Sequence, residues 1–320
     1  MKNILVLVPM RPDQRALLEQ QLPDASYTYT TAEALTPQQV AAAQIILGNL
    51  PPALLAGAEN LEWLQLHFSG VYEFTLPGVV PDRVQLTCAT GTYGLAISEY
   101  LLAQTFALKK KLHLYHRNQI NHLWKDEGDV TPIQGSTTLV VGLGDIGSCF
   151  AKKMNALGSR VYGIRRHVTE CPEYLEGLGT MEQLDQWLPL ADTVALCLPG
   201  TPATTRVMDA RRLDLMKPGS ILLNVGRGTA VDTDALFLAL QNGPLYGAAL
   251  DVTDPEPLPP NHPLWSCPGC LLTPHVAGDA HLPDTLEEII RLMIRNLGHY
   301  ARGEELEMQV DRAAGYRKFP

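Results

Sequence analysis

The stretch TTLVVGLGDIG, Thr137 to Gly147, decides the fold. Its first five residues are β-branched or aliphatic and read as a buried strand. Gly142, Gly144 and Gly147 then follow as G-x-G-x-x-G, with Asp145 and Ile146 inside the motif, and the helical pattern SCFAKKMNAL comes directly after. In such a turn the first glycine permits the tight bend and the second lets backbone approach a pyrophosphate. The third lets helix and strand pack closely. The helix start offers unpaired N–H groups and a positive dipole end to the phosphates. Three glycines alone carry little information. The strand before them and the helix after them predict a dinucleotide-binding unit.

The next strand tests which dinucleotide. RVYGIRRH, Arg160 to His167, ends in Arg165, Arg166 and His167, eighteen residues past Gly147. A carboxylate at this place accepts hydrogen bonds from a ribose 2′-hydroxyl and repels a 2′-phosphate. Guanidinium groups instead match a phosphate in charge and geometry. NADP(H) is therefore the expected cofactor. NAD(H) remains the alternative if these arginines are only solvated surface.

Working outward, strands and helices alternate over the whole chain. KNILVLV, SYTYT, QIILG, LEWLQLH and VQLTCAT form a first series, and TTLVV, RVYGI, DTVALCLP, SILLNVG, LYGAALDV and CLLTPH a second. This order predicts an α/β protein with two Rossmann-like, doubly wound parallel-sheet domains. GLAISEYLLAQTFALKKKLHLY reads as one long amphipathic helix joining the two series. In DTLEEIIRLMIRNLGHY, the residues Leu286, Ile289, Ile290, Met293, Ile294 and Leu297 share one helical face. That helix is expected to return to the first domain. The predicted division is 1–98 plus 283–320 for a discontinuous, flavodoxin-like substrate-binding domain, and 99–282 for the dinucleotide-binding domain.

Composition narrows the possible partners. The 320 residues are 46% hydrophobic, enough for packed cores, and 25 basic against 34 acidic side chains give a formal charge of −9. A broad nucleic-acid surface is not expected at that charge. No run reaches the roughly 18 uncharged apolar residues of a membrane span. The opening MKNILVLVPMRPDQR reads as a strand rather than a signal peptide. A cytoplasmic location with no membrane partner follows as the expectation. Of six cysteines only Cys267 and Cys270 form a C-x-x-C, and SCPGC reads as a turn rather than a redox or metal site. No metal is expected.

Three polar residues follow strands of the second series: Arg227 in LLNVGRGTAVD, Glu256 in LDVTDPEPLPPNHPLW and His275 in LLTPHVAG. Ligands of open α/β sheets bind at the carboxyl ends of strands. Each residue alone admits a structural role, as strand terminator, loop charge or core histidine. Together the three side chains can hold an anion and exchange a proton. A guanidinium clamps a carboxylate through paired hydrogen bonds. An imidazole exchanges protons near neutral pH. A carboxylate on the other ring nitrogen fixes the tautomer.

The motifs GLGDIG, NVGRGTAVD, DVTDPEPLP, HPLW and TPHVAG, in that order and spacing, resemble the D-isomer-specific 2-hydroxyacid dehydrogenase family. The resemblance covers nearly the whole chain and is densest from Thr137 to Gly278. It implies two Rossmann-like domains with a cleft between them. The activity it implies is nicotinamide-dependent interconversion of small 2-keto acids and D-2-hydroxy acids, with Arg227, Glu256 and His275 catalytic. It further implies cofactor contacts at Leu198, Pro199, Thr204, Val225, Asp251 and Gly278, beside those at the glycine turn. Ser69, Gly70 and Val71 in HFSGVYEF match a loop whose backbone N–H groups meet the substrate carboxylate, which Arg227 and His275 also contact. Phe68, Tyr72 and Tyr93 either shape that pocket or are core aromatics.

Two departures qualify the match. Arg165 replaces the acid typical of NAD-using members, and ATGTYGLAISE lacks the asparagine expected before the long helix. The end at Pro320, with no regulatory domain, speaks against phosphoglycerate dehydrogenase. The expected function is an NADPH-dependent reductase of a small 2-keto acid such as glyoxylate or hydroxypyruvate, working as a homodimer paired through the cofactor domain. The alternatives are an NAD-dependent dehydrogenase of another 2-hydroxy acid and a non-catalytic, cofactor-sensing binding protein.

Overall fold

The computed structural model describes residues 1–168, 170–278 and 281–318. The chain forms two compact units: Met1–Tyr93 with Leu282–Pro320, and Gly94–His281. The division falls before Gly94 rather than after Ser98, because Gly94–Lys109 is one helix and packs along Asp145–Ala156 of the second unit.

In the first unit, β1 (Asn3–Val6), β2 (Ser26–Tyr29), β3 (Ile45–Leu47), β4 (Trp63–Gln65) and β5 (Gln85–Thr87) form a parallel sheet. Its order is β2-β1-β3-β4-β5, the flavodoxin-like order. The apolar residues of β3 are all buried, as expected of a strand covered on both faces. The helix Pro283–Arg302 belongs to this unit. Pro283 suits its first turn, and Gly303 ends it with φ 69, a conformation glycine adopts without strain. Ile289, Ile290, Met293 and Leu297 are buried along it, while Leu286 and Ile294 are half-buried.

A closed polar network ties this helix to the sheet. Asn296 donates to Gln65 Oε1 at 2.8 Å, as does the hydroxyl of Thr87, and that hydroxyl accepts from Trp63 Nε1 at 2.8 Å. These side chains are fully buried and mutually satisfied. Such networks fix one arrangement of a core rather than add raw stability.

The second unit holds a seven-stranded sheet of β6 (Thr137–Val141), β7 (Arg160–Ile164), β8 (Gly177–Gly179), β9 (Thr193–Leu196), β10 (Ile221–Asn224), β11 (Gly247–Leu250) and β12 (Cys270–Leu272). The order is β12-β11-β10-β9-β6-β7-β8, parallel throughout. Order reverses between β6 and β9, and in such sheets the switch point is where ligands bind.

One expected element differs. The helix foreseen from Gly94 to Tyr115 breaks after Lys109, and a second helix runs Leu112–Ile120. Lys111 takes φ 57, so no α-helical path passes through it. Within the seven-stranded sheet, the edge strand β8 is the one that sequence reading omitted: three residues, two of them glycine, carry no periodic signal.

Candidate active site

The glycine turn sits at the switch point. Gly142 has φ 103, and a side-chain carbon there would lie 2.6 Å from the carbonyl oxygen of Cys197, just past β9. A carbon on Gly147 would stand 2.0 Å from the oxygen of Gly142. Both positions therefore require glycine for packing alone. Gly144 is different: it is exposed, and a side chain on it would meet nothing within 4 Å. The helix Asp145–Ala156 starts on it with no side-chain cap. Uncapped N–H groups facing open space fit a dinucleotide pyrophosphate. The Asp145 carboxylate is turned against Gly94 in the same unit.

Arg165 leaves β7 half-buried, its N–H donating to Gly179 O at 3.0 Å, and Arg166 and His167 are exposed beyond it. Leu198 backbone is packed between Gly142 and Gly226. Thr204 closes the loop after β9 on itself, its hydroxyl donating to Pro199 O at 2.6 Å and accepting from Thr201 N at 3.0 Å. Ile146 and Gly278 are half-buried and Val225 is buried.

Arg227 follows β10. Asn224 builds its turn, donating from Nδ2 to Arg227 O at 3.0 Å and accepting from Gly226 N at 3.1 Å. The guanidinium donates to Gly226 O at 2.7 Å. Its stem lies over Gly200, where a side-chain carbon would meet Arg227 Cγ at 2.8 Å. Neither Asn224 nor Gly200 was singled out in the sequence, because their parts depend on contacts across the turn.

Glu256 and His275 come together. His275 Nδ1 lies 2.6 Å from Glu256 Oε1, with both side chains nearly half-exposed. An ionised carboxylate only accepts, so Nδ1 carries the proton and Nε2 faces away from the pair. Glu256 stands in a loop with cis peptide bonds before Pro255 and Pro257. His275 holds φ 55, unusual for a residue with a side chain.

Asp251 surrounds that histidine with hydrogen bonds. Its carbonyl accepts from His275 N at 2.8 Å, and its carboxylate accepts from Val276 N and Ala277 N at 2.9 Å each. Thr273 Oγ1 donates to the same carboxylate at 2.7 Å. A cofactor contact expected from sequence is thus also the anchor of the histidine loop.

In the first unit, Ser69, Gly70 and Val71 follow β4. The backbone there is clamped from two sides. Asn49 accepts on Oδ1 from His67 N at 2.8 Å and from Phe68 N at 3.3 Å, while Asn49 N donates to His67 Nδ1 at 2.9 Å. Tyr93 is buried and donates to His67 O at 2.6 Å, whereas Phe68 and Tyr72 are 47% and 39% exposed. Tyr93 is therefore a core aromatic of this unit, and the other two are not. Asn49 had no sequence signal.

A surface cavity of about 640 Å³, lined by Glu59, Glu62, Arg83 and Tyr300 among others, opens at the N-terminal ends of β4 and β5. Within the first unit that is the edge opposite to the Ser69–Val71 loop, which follows the C-terminal end of β4. Among the described residues, no three potential metal ligands cluster. Cys267 and Cys270 are both free thiols, and burial pushes the Cys270 thiol well above its usual range.

A glycine turn at the switch point of a Rossmann-ordered sheet defines a dinucleotide-binding α/β protein. Comparison makes the class specific: the pattern of the D-isomer specific 2-hydroxyacid dehydrogenase NAD binding domain matches residues 102–277. The chain belongs to the D-isomer specific 2-hydroxyacid dehydrogenase family, whose members are NAD(P)-dependent oxidoreductases. It is 30% identical over 223 residues to a glyoxylate/hydroxypyruvate reductase A of Salmonella paratyphi B, covering 70% of each chain. Among solved structures it resembles a family protein of Aeromonas salmonicida, with TM-score 0.85, 29% identity, and coverage of 97% of this chain and 99% of that one. It also resembles a D-isomer specific 2-hydroxyacid dehydrogenase of Xanthobacter autotrophicus Py2 in complex with NADPH and MES. There the TM-score is 0.83, with 26% identity and coverage of 98% of this chain and 99% of that one. The fold class read from sequence is borne out.

Proposed function

We propose that the protein is a cytoplasmic, homodimeric reductase of small 2-keto acids, glyoxylate or hydroxypyruvate among them, yielding D-2-hydroxy acids with NADPH. The observation that carries the reading is the 2.6 Å Glu256–His275 pair on a loop at the carboxyl edge of the sheet that bears the glycine turn. The nicotinamide cofactor, when bound, supplies the hydride. The N–H groups from Gly144 to Gly147 hold its pyrophosphate, and Arg165 and Arg166, with His167 beside them, take the 2′-phosphate. Leu198, Pro199, Thr204, Val225, Asp251 and Gly278 line the rest of that site. Arg227 holds the substrate carboxylate and polarises the ketone. The loop at Ser69–Val71 offers backbone donors of the kind a carboxylate takes. His275 delivers the proton from Nε2 to the new alkoxide, while Glu256 accepts from Nδ1 and keeps the ring in place. The NADPH complex of the Xanthobacter relative supports the cofactor reading.

Initial rates with NADPH and NADH against glyoxylate, hydroxypyruvate, pyruvate and bulkier 2-keto acids test this. A large NADPH preference is expected. Replacing Arg165 and Arg166 with uncharged residues should raise the NADPH KM and leave the NADH KM near its starting value. An unchanged NADPH KM would remove the 2′-phosphate assignment. Arg227→Ala should abolish turnover while NADPH binding persists. Sedimentation tests pairing, and a monomer would refute it.

A further inference from the structure

Asp251 is only 3% exposed, and a buried carboxylate needs donors. Thr273 Oγ1, Val276 N and Ala277 N supply them. Behind Thr273 stands Tyr100, whose hydroxyl is hydrogen-bonded to Thr273 Oγ1. Tyr100 belongs to the helix Gly94–Lys109, which packs on β10 and β11. The direction of this chain is fixed by counting protons. A carboxylate has none to give, and a threonine hydroxyl has one, already committed to Asp251. The Tyr100 hydroxyl must therefore donate to Thr273, which donates to Asp251.

Asp251 directly follows β11 and Thr273 directly follows β12, so the chain joins the helix to the last two strands at the point where the His275 loop leaves the sheet. His275 is held in the left-handed region, which is strained for a residue with a side chain and persists only where surroundings enforce it. The enforcing contacts are the hydrogen bonds from His275 N to Asp251 O and from the next two N–H groups to the Asp251 carboxylate. The orientation of that carboxylate depends in turn on Thr273 and Tyr100.

We propose that Tyr100 is a positioning residue for His275, acting in series through Thr273 and Asp251. Its hydroxyl keeps Thr273 aimed at Asp251, and Asp251 keeps the 275–277 backbone in the one conformation that presents the ring beside Glu256. This rests on the reading of His275 as the proton donor. Burial and the neighbouring Asp251 charge outweigh the hydrogen bonds to Tyr100 and push its hydroxyl above its usual range, so it stays a donor.

The test compares Tyr100→Phe, Thr273→Val, the double variant, Thr273→Ser and His275→Gln in the full-length protein, with NADPH against glyoxylate and hydroxypyruvate. Ångström-scale misplacement of a catalytic group costs up to about a hundredfold. Tyr100→Phe and Thr273→Val should each lower kcat by about tenfold to a hundredfold. The keto-acid KM should stay within about twofold of wild type, and the NADPH Kd, read by fluorescence titration, should rise by much less than kcat falls, since Asp251 also lines the cofactor site. Because the residues act in series, the double variant should be no worse than the poorer single one. Thr273→Ser keeps the hydroxyl and should restore most of kcat. A Tyr100→Phe kcat within about twofold of wild type would overturn the proposal, as would losses that multiply in the double variant. A Thr273→Ser as impaired as Thr273→Val would do the same, and that pair decides the matter if Tyr100→Phe fails to fold. His275→Gln separates the two layers. If it retains kcat, the proton-donor reading itself falls. If it is inert while Tyr100→Phe matches wild type, only the positioning role does.

Discussion

At the scale of single residues, the site combines local contacts, those of Asn224 and Gly226 with Arg227, with a pair from separate loops, Glu256 with His275. Arg227, Glu256 and His275 stand out in the sequence as candidates because each follows a strand in a distinctive motif, and strand ends are where ligands of such sheets bind. Asn224, Gly200, Asn49 and Tyr100 were not legible. Their contribution is a contact with a turn, a side-chain stem, a loop or a threonine hydroxyl, and nothing local in the sequence encodes that. The Glu256–His275 pair makes a sharp prediction. Glu256→Gln still offers an oxygen to Nδ1–H but no charge to balance an imidazolium. General acid–base assistance contributes about 10²- to 10⁴-fold, and a neutral partner forfeits much of it. We expect kcat to fall by about a hundredfold in Glu256→Gln, with the keto-acid KM little changed. A steady-state comparison that finds kcat intact would assign Glu256 to loop structure instead.

At the scale of elements, the strands were legible from their apolar runs and the C-terminal helix from its period. The break at Lys111 and the short strand β8 were not, since a left-handed lysine and a glycine-rich edge leave no pattern. How the elements hold together is visible at Asp192, at the entry to β9. Its carboxylate accepts from Lys217 Nζ at 2.6 Å and from Thr137 N at 2.8 Å, joining β9 to the start of β6 and the approach to β10. Burial pushes this carboxyl up, but Lys217 and the Thr137 N–H outweigh burial and hold it below the usual carboxylate range. A depressed folded value means the stabilisation is complete above the unfolded value of about 4 and is lost as pH falls through the folded one. Asp192→Asn should therefore lower the melting temperature at pH 7, by the equivalent of about 1.5–3 kcal/mol for hydrogen bonds to a charged group. Its gap from wild type should narrow below about pH 4. A gap that persists unchanged at low pH would mean that charge plays no part. Gly147→Ala is the companion change: with 2.0 Å to the oxygen of Gly142, an added carbon must displace the turn. Thermal melts and NADPH titration should show destabilisation of about 1–3 kcal/mol and weakened binding together.

At the scale of the whole molecule, each unit packs apolar side chains of its own among the described residues. The first gathers Leu5, Ile46, Leu64 and Leu86, and the second Leu139, Val194, Leu222 and Leu250. Every group assigned to the dinucleotide lies in the second. A ligand that binds only the folded form stabilises by RT ln(1 + [L]/Kd), about 2.7 kcal/mol at a hundred times Kd. For a unit of this size each kcal/mol raises the melting temperature by about 2–4 °C. NADPH at that excess should thus raise the melting temperature of the second unit by roughly 5–10 °C. Where calorimetry resolves two transitions, the one belonging to the first unit should move less. NADH at the same concentration should shift the second unit less than NADPH, because it lacks the phosphate that Arg165 and Arg166 are proposed to hold. Equal shifts would leave the glycine turn as the binding element and discard the arginines as its selector. No shift with either would reject the turn itself, whatever the rates show.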